Sequence, residues 1–124
     1  RALGLARDAE VGVVAGGREA AADWFDHPTT GVVAYNDLIA IGFIREVAQA
    51  GLQVPEQVSI VGFDDLPLSS HFLPPLTTVR QDFVALGGLL MQKVLIAVEE
   101  PDTASESTPL ATTLQVRQST RPVS

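Results

Sequence analysis

Between Gly31 and Gly62 the chain sets two short apolar runs on either side of a helical span, and this pattern constrains the fold more than any other feature. Gly31-Val32-Val33-Ala34-Tyr35 and Val58-Ser59-Ile60-Val61-Gly62 are too short for helices. Their nearly continuous apolar character suits parallel strands covered on both faces. Asn36 is a good N-cap for the span between them, and Asp37 in the first turn suits the helix dipole. The helix Asp37 to Ala50 carries Ile41, Ile44, Val47 and Ala48 at helical spacing, and Gly51 sits where a C′ glycine belongs. Val54-Pro55 then turns the chain. A strand–helix–strand crossover of this kind is right-handed and makes its two strands parallel.

The same alternation runs through the rest of the chain. Val11 to Ala15 is a short apolar run ended by Gly16-Gly17, and a helix is expected over Arg18 to His27, stopped by Pro28. Trp24 and Phe25 on that helix read as core or interface side chains. After an irregular stretch through Pro74-Pro75, a short extended run covers Thr77 to Arg80, a long helix Phe83 to Glu99, and a last strand Thr112 to Val116. Pro101 to Pro109 reads as a solvated loop. The fold class is α/β, a mostly parallel sheet flanked by helices.

Composition removes several classes of function. Eight Lys and Arg stand against 15 Asp and Glu, a formal net charge of −7, and the basic residues are scattered. Such a chain has no stripe to neutralise phosphates, so it should not bind DNA by itself. The absence of cysteine excludes disulfides and thiolate metal sites. No apolar run approaches the roughly 18 residues of a membrane span, and no secretory signal opens the sequence. The chain begins with Arg1 rather than Met, as expected of a processed or partial chain.

In open α/β sheets, ligands bind beyond the carboxyl ends of the strands. Those ends are Gly16-Gly17, Asn36-Asp37 and Asp64-Asp65. Asn offers a donor and an acceptor, and ionised Asp offers acceptors, a set that suits a hydroxyl-rich ligand such as a sugar. Each residue also has a structural reading. Asn36 caps its helix, Asp65 caps the following turn, and Gly16-Gly17 forms a plain turn. His27 and His71 lack the partners of a catalytic triad. A metal-dependent hydrolase using Asp37, Asp64 and Asp65 is the enzyme alternative, with no base, nucleophile or phosphate loop beside it. A response-regulator receiver is excluded, because the first strand ends in Gly16-Gly17-Arg18 and the single lysine, Lys93, lies within a helix.

Three motifs in order carry a resemblance. Val33-Ala34-Tyr35-Asn36-Asp37-Leu38-Ile39-Ala40-Ile41-Gly42, Val54 to Gly62 followed by Phe63-Asp64-Asp65, and Pro75-Leu76-Thr77-Thr78-Val79-Arg80-Gln81 resemble the LacI/GalR family of bacterial transcription regulators. The closing Leu114 to Thr120 is similar as well. The resemblance implies a cytoplasmic repressor's effector-sensing domain of the periplasmic-binding-protein type, without enzymatic activity, cofactor or metal. It implies two lobes closing on a small effector, often a sugar or nucleobase and here expected to be a sugar, and a homodimer that reaches operator DNA through a separate N-terminal helix-turn-helix. That segment and the family's first lobe have no counterpart here, so an incomplete, C-terminal portion is expected. Residues 1–76 would be mainly one lobe, and the helix at 82–99 would belong to the other. Asn36 and Asp64 match effector-binding positions, and Phe83 matches an aromatic lining the pocket. Ile41 and the stretch Leu68 to Leu73, with His71, Phe72 and Leu73, match dimer contacts. Without the other lobe, Leu86, Leu89, Leu90, Val94, Leu95 and Val98 would face water, which favours pairing with a second copy. A fragment of a periplasmic sugar-binding protein is the alternative that shares the fold.

Overall fold

The computed structural model describes residues 11–14, 17–103 and 106–123. Arg1, Ala15 and Gly16, and Ala104 and Ser105 of the expected loop, lie outside the described residues. The chain forms two compact units. Of the described residues, one holds those up to Arg80 and from Leu114 onward, and the other holds those within Gln81–Thr113.

The elements in chain order are β1 (Val11–Val14), α1 (Gly17–Asp26), β2 (Gly31–Ala34), α2 (Asp37–Gln49), β3 (Ser59–Phe63), a 3-10 turn (Pro67–Ser70), β4 (Thr77–Gln81), α3 (Phe83–Glu99) and β5 (Thr112–Gln115). The strands lie in that same order in one sheet. β1 with β2, β2 with β3 and β3 with β4 all pair in parallel, with Val14 opposite Ala34, Val32 opposite Ile60 and Gly62 opposite Thr78. Each expected element is present, with ends displaced by a residue where fraying and capping decide them.

The core of the first unit joins α1 and α2 to one face of the sheet. Ala20, Ala21, Trp24, Val32, Ala34, Ala40, Phe43, Ile44, Val47, Val58, Ile60 and Leu76 form one buried cluster. Trp24 packs edge-on against Phe43 with ring centroids 5.7 Å apart, and its indole N–H donates to the Thr29 carbonyl at 2.9 Å. Trp24 is thus a core residue, while its neighbour Phe25 is exposed. On β2, Val32 and Ala34 turn into this core and Val33 is 40% exposed. Among the described residues, β2 is therefore covered on one face, not on both as its apolar run suggested.

Two details of helix packing depart from the sequence pattern. The buried face of α2 is Asp37, Ala40, Phe43, Ile44 and Val47, whereas Ala48 is exposed and Ile41 half-buried. Apolar residues occupy so much of this helix that periodicity alone leaves its rotation open. A backbone contact settles it: a Cβ at Gly17 would lie 2.9 Å from the Gly42 Cα and 3.0 Å from the Ile39 carbonyl oxygen. Gly17 is thus the first residue of α1 and serves close helix approach, instead of forming part of a plain turn.

The C-terminal segment returns to complete the first unit. Ser119 is fully buried. Its hydroxyl donates to the Ile60 carbonyl at 2.7 Å and accepts from the Thr77 N–H at 2.8 Å, while its carbonyl accepts from the Ile60 N–H at 2.8 Å. One residue thereby satisfies polar groups of both β3 and β4 that would otherwise be buried without partners.

In the second unit, α3 begins at an N-cap, Asp82, whose carboxylate accepts from the Ala85 N–H at 2.9 Å. The helix has no buried residue: Leu90, Val94, Leu95 and Val98 are exposed, and Leu86 and Leu89 are half-buried.

Candidate functional site

The carboxyl ends of β2 and β3 lie side by side, because the strands are parallel neighbours. Asn36 follows β2 with extended backbone, and its Oδ1 accepts from the Ile39 N–H at 2.9 Å. It is therefore the N-cap the sequence suggested. Capping uses one lone pair of the amide oxygen and leaves its two N–H donors to another partner. Tyr35, one residue earlier, is 75% exposed at the same strand end.

Asp37 points the other way. Its carboxylate is fully buried. Oδ2 accepts from the Ser69 hydroxyl at 2.5 Å and the Leu66 N–H at 2.8 Å, and Oδ1 accepts from the Thr78 hydroxyl at 2.5 Å. These bonds fasten the segment after β3 and the start of β4 to the first turn of α2. Gly62 makes room for them, since a Cβ there would sit 2.2 Å from the Asp37 Oδ1.

The turn after β3 carries two successive non-glycine residues in the left-handed region, Asp64 with φ 107° and Asp65 with φ 53°. Asp tolerates this conformation better than most residues, yet a sparsely populated backbone costs of order 1–3 kcal/mol and persists only where its surroundings fix it. The fixing contacts are visible. The Asp64 N–H donates to the Val79 carbonyl at 2.9 Å, and the Asp65 N–H donates to the Thr78 hydroxyl at 3.3 Å. The Asp65 carboxylate accepts from the Arg80 Nε at 2.5 Å and from the Arg117 guanidinium at 2.6 Å. Burial pushes the Asp65 carboxyl up, but the hydrogen bonds and charges of Arg117 and then Arg80 outweigh it and hold the carboxyl below its ordinary range. Asp65 is thus an ion-pair centre and not the turn cap expected from its position. Sequence reasoning missed the role of Arg80 and Arg117. The available signal was a strand-end carboxylate with arginines in two later extended segments.

Of the residues expected at an effector site, Asn36 and the half-buried Asp64 stand at adjacent strand ends of the first unit. Phe83 is the exposed first residue of α3, in the second unit. Of the expected dimer contacts, Ile41, Phe72 and Leu73 line a groove of about 550 Å³ together with Leu38 and Arg45. Leu73 is 82% exposed on its rim. Leu68 and His71 are exposed on and just after the 3-10 turn, where the His71 Nδ1 lies 2.9 Å from the Pro67 carbonyl oxygen.

Chemically, a donor amide beside a carboxylate at paired strand ends suits recognition of hydroxyl groups. The hydrolase alternative needs Asp37 and Asp65 free, and both are engaged inside the protein. Among the described residues no group of three or more His, Cys, Asp or Glu side chains is placed to hold a metal ion, and no helix is long and apolar enough to cross a membrane.

Comparison with known proteins agrees with this geometry. The family model for the periplasmic binding protein-like domain matches residues 2–120. The HTH-type transcriptional regulator MalR of Streptomyces coelicolor is 45% identical over 80 residues, which is 64% of this chain and 23% of that protein. A LacI family transcriptional regulator from Enterococcus faecalis, solved with bound ribose, superposes with a TM-score of 0.77 at 34% identity, covering 87% of this chain and 40% of that one. The Lac repressor dimer bound to operator and the anti-inducer ONPF superposes with a TM-score of 0.74 at 30% identity, covering 84% of this chain and 37% of that one. The chain thus spans about a quarter of the curated relative's length. These relatives are transcriptional regulators and not enzymes, which speaks against the hydrolase alternative. A parallel sheet with polar strand ends, matched along nearly its whole length by one family model, places the chain in the periplasmic-binding-protein-like domain family, with LacI-family transcriptional regulators among its relatives.

Proposed function

We propose that this chain is the effector-sensing portion of a LacI/GalR-type repressor that binds a small sugar-like ligand in the cytoplasm and thereby modulates DNA binding by an N-terminal helix-turn-helix. Residues 1–76 are mainly one lobe, and the helix at 82–99 belongs to the other. Asn36 supplies donors to ligand hydroxyls, Asp64 accepts from them, and Phe83 offers an apolar face. Homodimerisation uses Ile41, Leu68, His71, Phe72 and Leu73. The effector biases an equilibrium between lobe arrangements because it binds them unequally, and so alters the spacing of the DNA-binding segments.

The observation that carries this reading is the pairing of Asn36 and Asp64 at the carboxyl ends of neighbouring parallel strands. The ribose bound by the E. faecalis regulator supports sugar chemistry, and the Lac repressor dimer on its operator supports the assembly. The test is calorimetry on the full-length regulator with a panel of sugars beginning with ribose, followed by operator binding. Asp64→Ala should weaken the responding sugar by about 1.5–3 kcal/mol, the scale of a charge-assisted hydrogen bond, and leave operator affinity without sugar nearly intact. Unchanged sugar affinity would remove Asp64 from the site.

A further inference from the structure

The chain leaves the first unit after Arg80 and re-enters it at Leu114. Arg80 and Arg117 therefore mark the roots of two chain passages between the units, and both guanidinium groups end on Asp65. The two arms are built differently. Arg117 is mostly buried, with 17% of its side chain exposed, and binds three times: to the Asp65 Oδ1, to the Leu76 carbonyl at 2.8 Å, and through its backbone N–H to the Thr77 hydroxyl at 2.9 Å. Arg80 has 53% of its side chain exposed, and its ion pair with the Asp65 Oδ2 is the side-chain contact that holds it to the turn. Asp65 itself is 5% exposed and follows Asp64 in the left-handed turn.

We propose that Asp65 is a positioning residue that pins both chain passages to the end of β3, with Arg117 the permanent arm and Arg80 the releasable one. A solvent-exposed ion pair is weakened by salt, whereas a buried, multiply bonded one is screened much less. Opening of the Arg80 arm loosens the end of the outgoing strand, whose ladder with β3 holds it less firmly there, while the returning segment stays fixed. The proposal stands on the ion pairs and needs no ligand, so it can fail while the effector reading holds, and the reverse.

Amide hydrogen exchange followed by mass spectrometry on the full-length protein tests it. Asp65→Asn should raise exchange about tenfold over residues 77–80 and 114–118 and leave α2 at its wild-type rate, as a local opening does. Arg80→Gln should raise exchange over 77–80 alone, and Arg80→Lys should restore protection. Wild-type protein in about 0.5 M salt, where charges are screened over a few ångströms, should reproduce the Arg80→Gln pattern. If Asp65→Asn raises exchange equally in α2, Asp65 serves general stability and the proposal falls. Wild-type exchange in both segments of that variant also overturns it, as does an Arg80→Gln effect spread over both segments.

Discussion

The two units are apolar in similar measure and use that apolarity in opposite ways. The first sinks Phe43, Ile60, Leu76, Val47 and Val58 completely, with α1 and α2 closing over one face of the sheet. The second carries a 17-residue helix richer in leucine and valine, with no buried residue. Hydrophobic content therefore does not determine burial; a surface to pack against does. The first unit supplies its own surface through parallel strands and crossover helices. In the second, α3 offers apolar side chains on every side, the mark of a helix meant to be enclosed.

Truncation should separate the units most sharply. Phe43→Ala should cost the first unit about 3–5 kcal/mol, the range for a large aromatic removed from a packed core. Val98→Ala, 75% exposed on α3, should stay within about 0.5 kcal/mol, as surface changes do. Urea unfolding of the 124-residue chain reads both, and a large loss for Val98→Ala would mean that α3 is covered in solution.

A single type of substitution should change sign between the units. Gly62→Ala drives a methyl into the Asp37 carboxylate and the Leu76 side chain, and overpacking of this kind costs about 1–3 kcal/mol. A Cβ at Gly87 meets nothing within 4 Å, so Gly87→Ala should instead favour the helix by roughly 0.5–1 kcal/mol. Helix content by circular dichroism, set beside the urea midpoint, distinguishes the two outcomes.

Acid should act on the first unit through Asp65, with a smaller effect. Its carboxyl is held lower in the folded state than the roughly 3.9 of an unfolded aspartate. The unfolded chain thus binds the proton first, so the contribution is fully present above about pH 4 and fades as pH falls through the folded value. The urea midpoint of wild type should drop more steeply below pH 4 than that of Asp65→Asn. Parallel curves would show that the ion pairs carry no linkage.

How much of this was legible in the sequence depends on how far apart the interacting residues lie. The β2-α2-β3 crossover could be read because its signals are local: two apolar runs, the Asn36 cap and a glycine with φ of 79° at position 51. The rotation of α2 could not, because the Gly17–Gly42 approach that sets it joins two helices. Asn36 and Asp64 were recognisable as strand-end groups. The roles of Asp37 and Asp65 were hidden, since their partners Ser69, Thr78, Arg80 and Arg117 belong to later segments that only the tertiary fold brings back.

Ser119 ties the first unit to the calendar of its own synthesis. Ile60 and Thr77 are translated long before the residue that satisfies their backbone groups. At about 5–20 residues per second, the roughly 40 residues after Arg80 occupy a ribosome for some 2–8 seconds. Over that interval the growing chain holds a nearly finished sheet with an unpaired edge, the kind of edge on which strands of other chains can settle. Closure of the first unit is therefore a late event, set by arrival of the residues around Ser119 rather than by the speed at which its own helices and strands form.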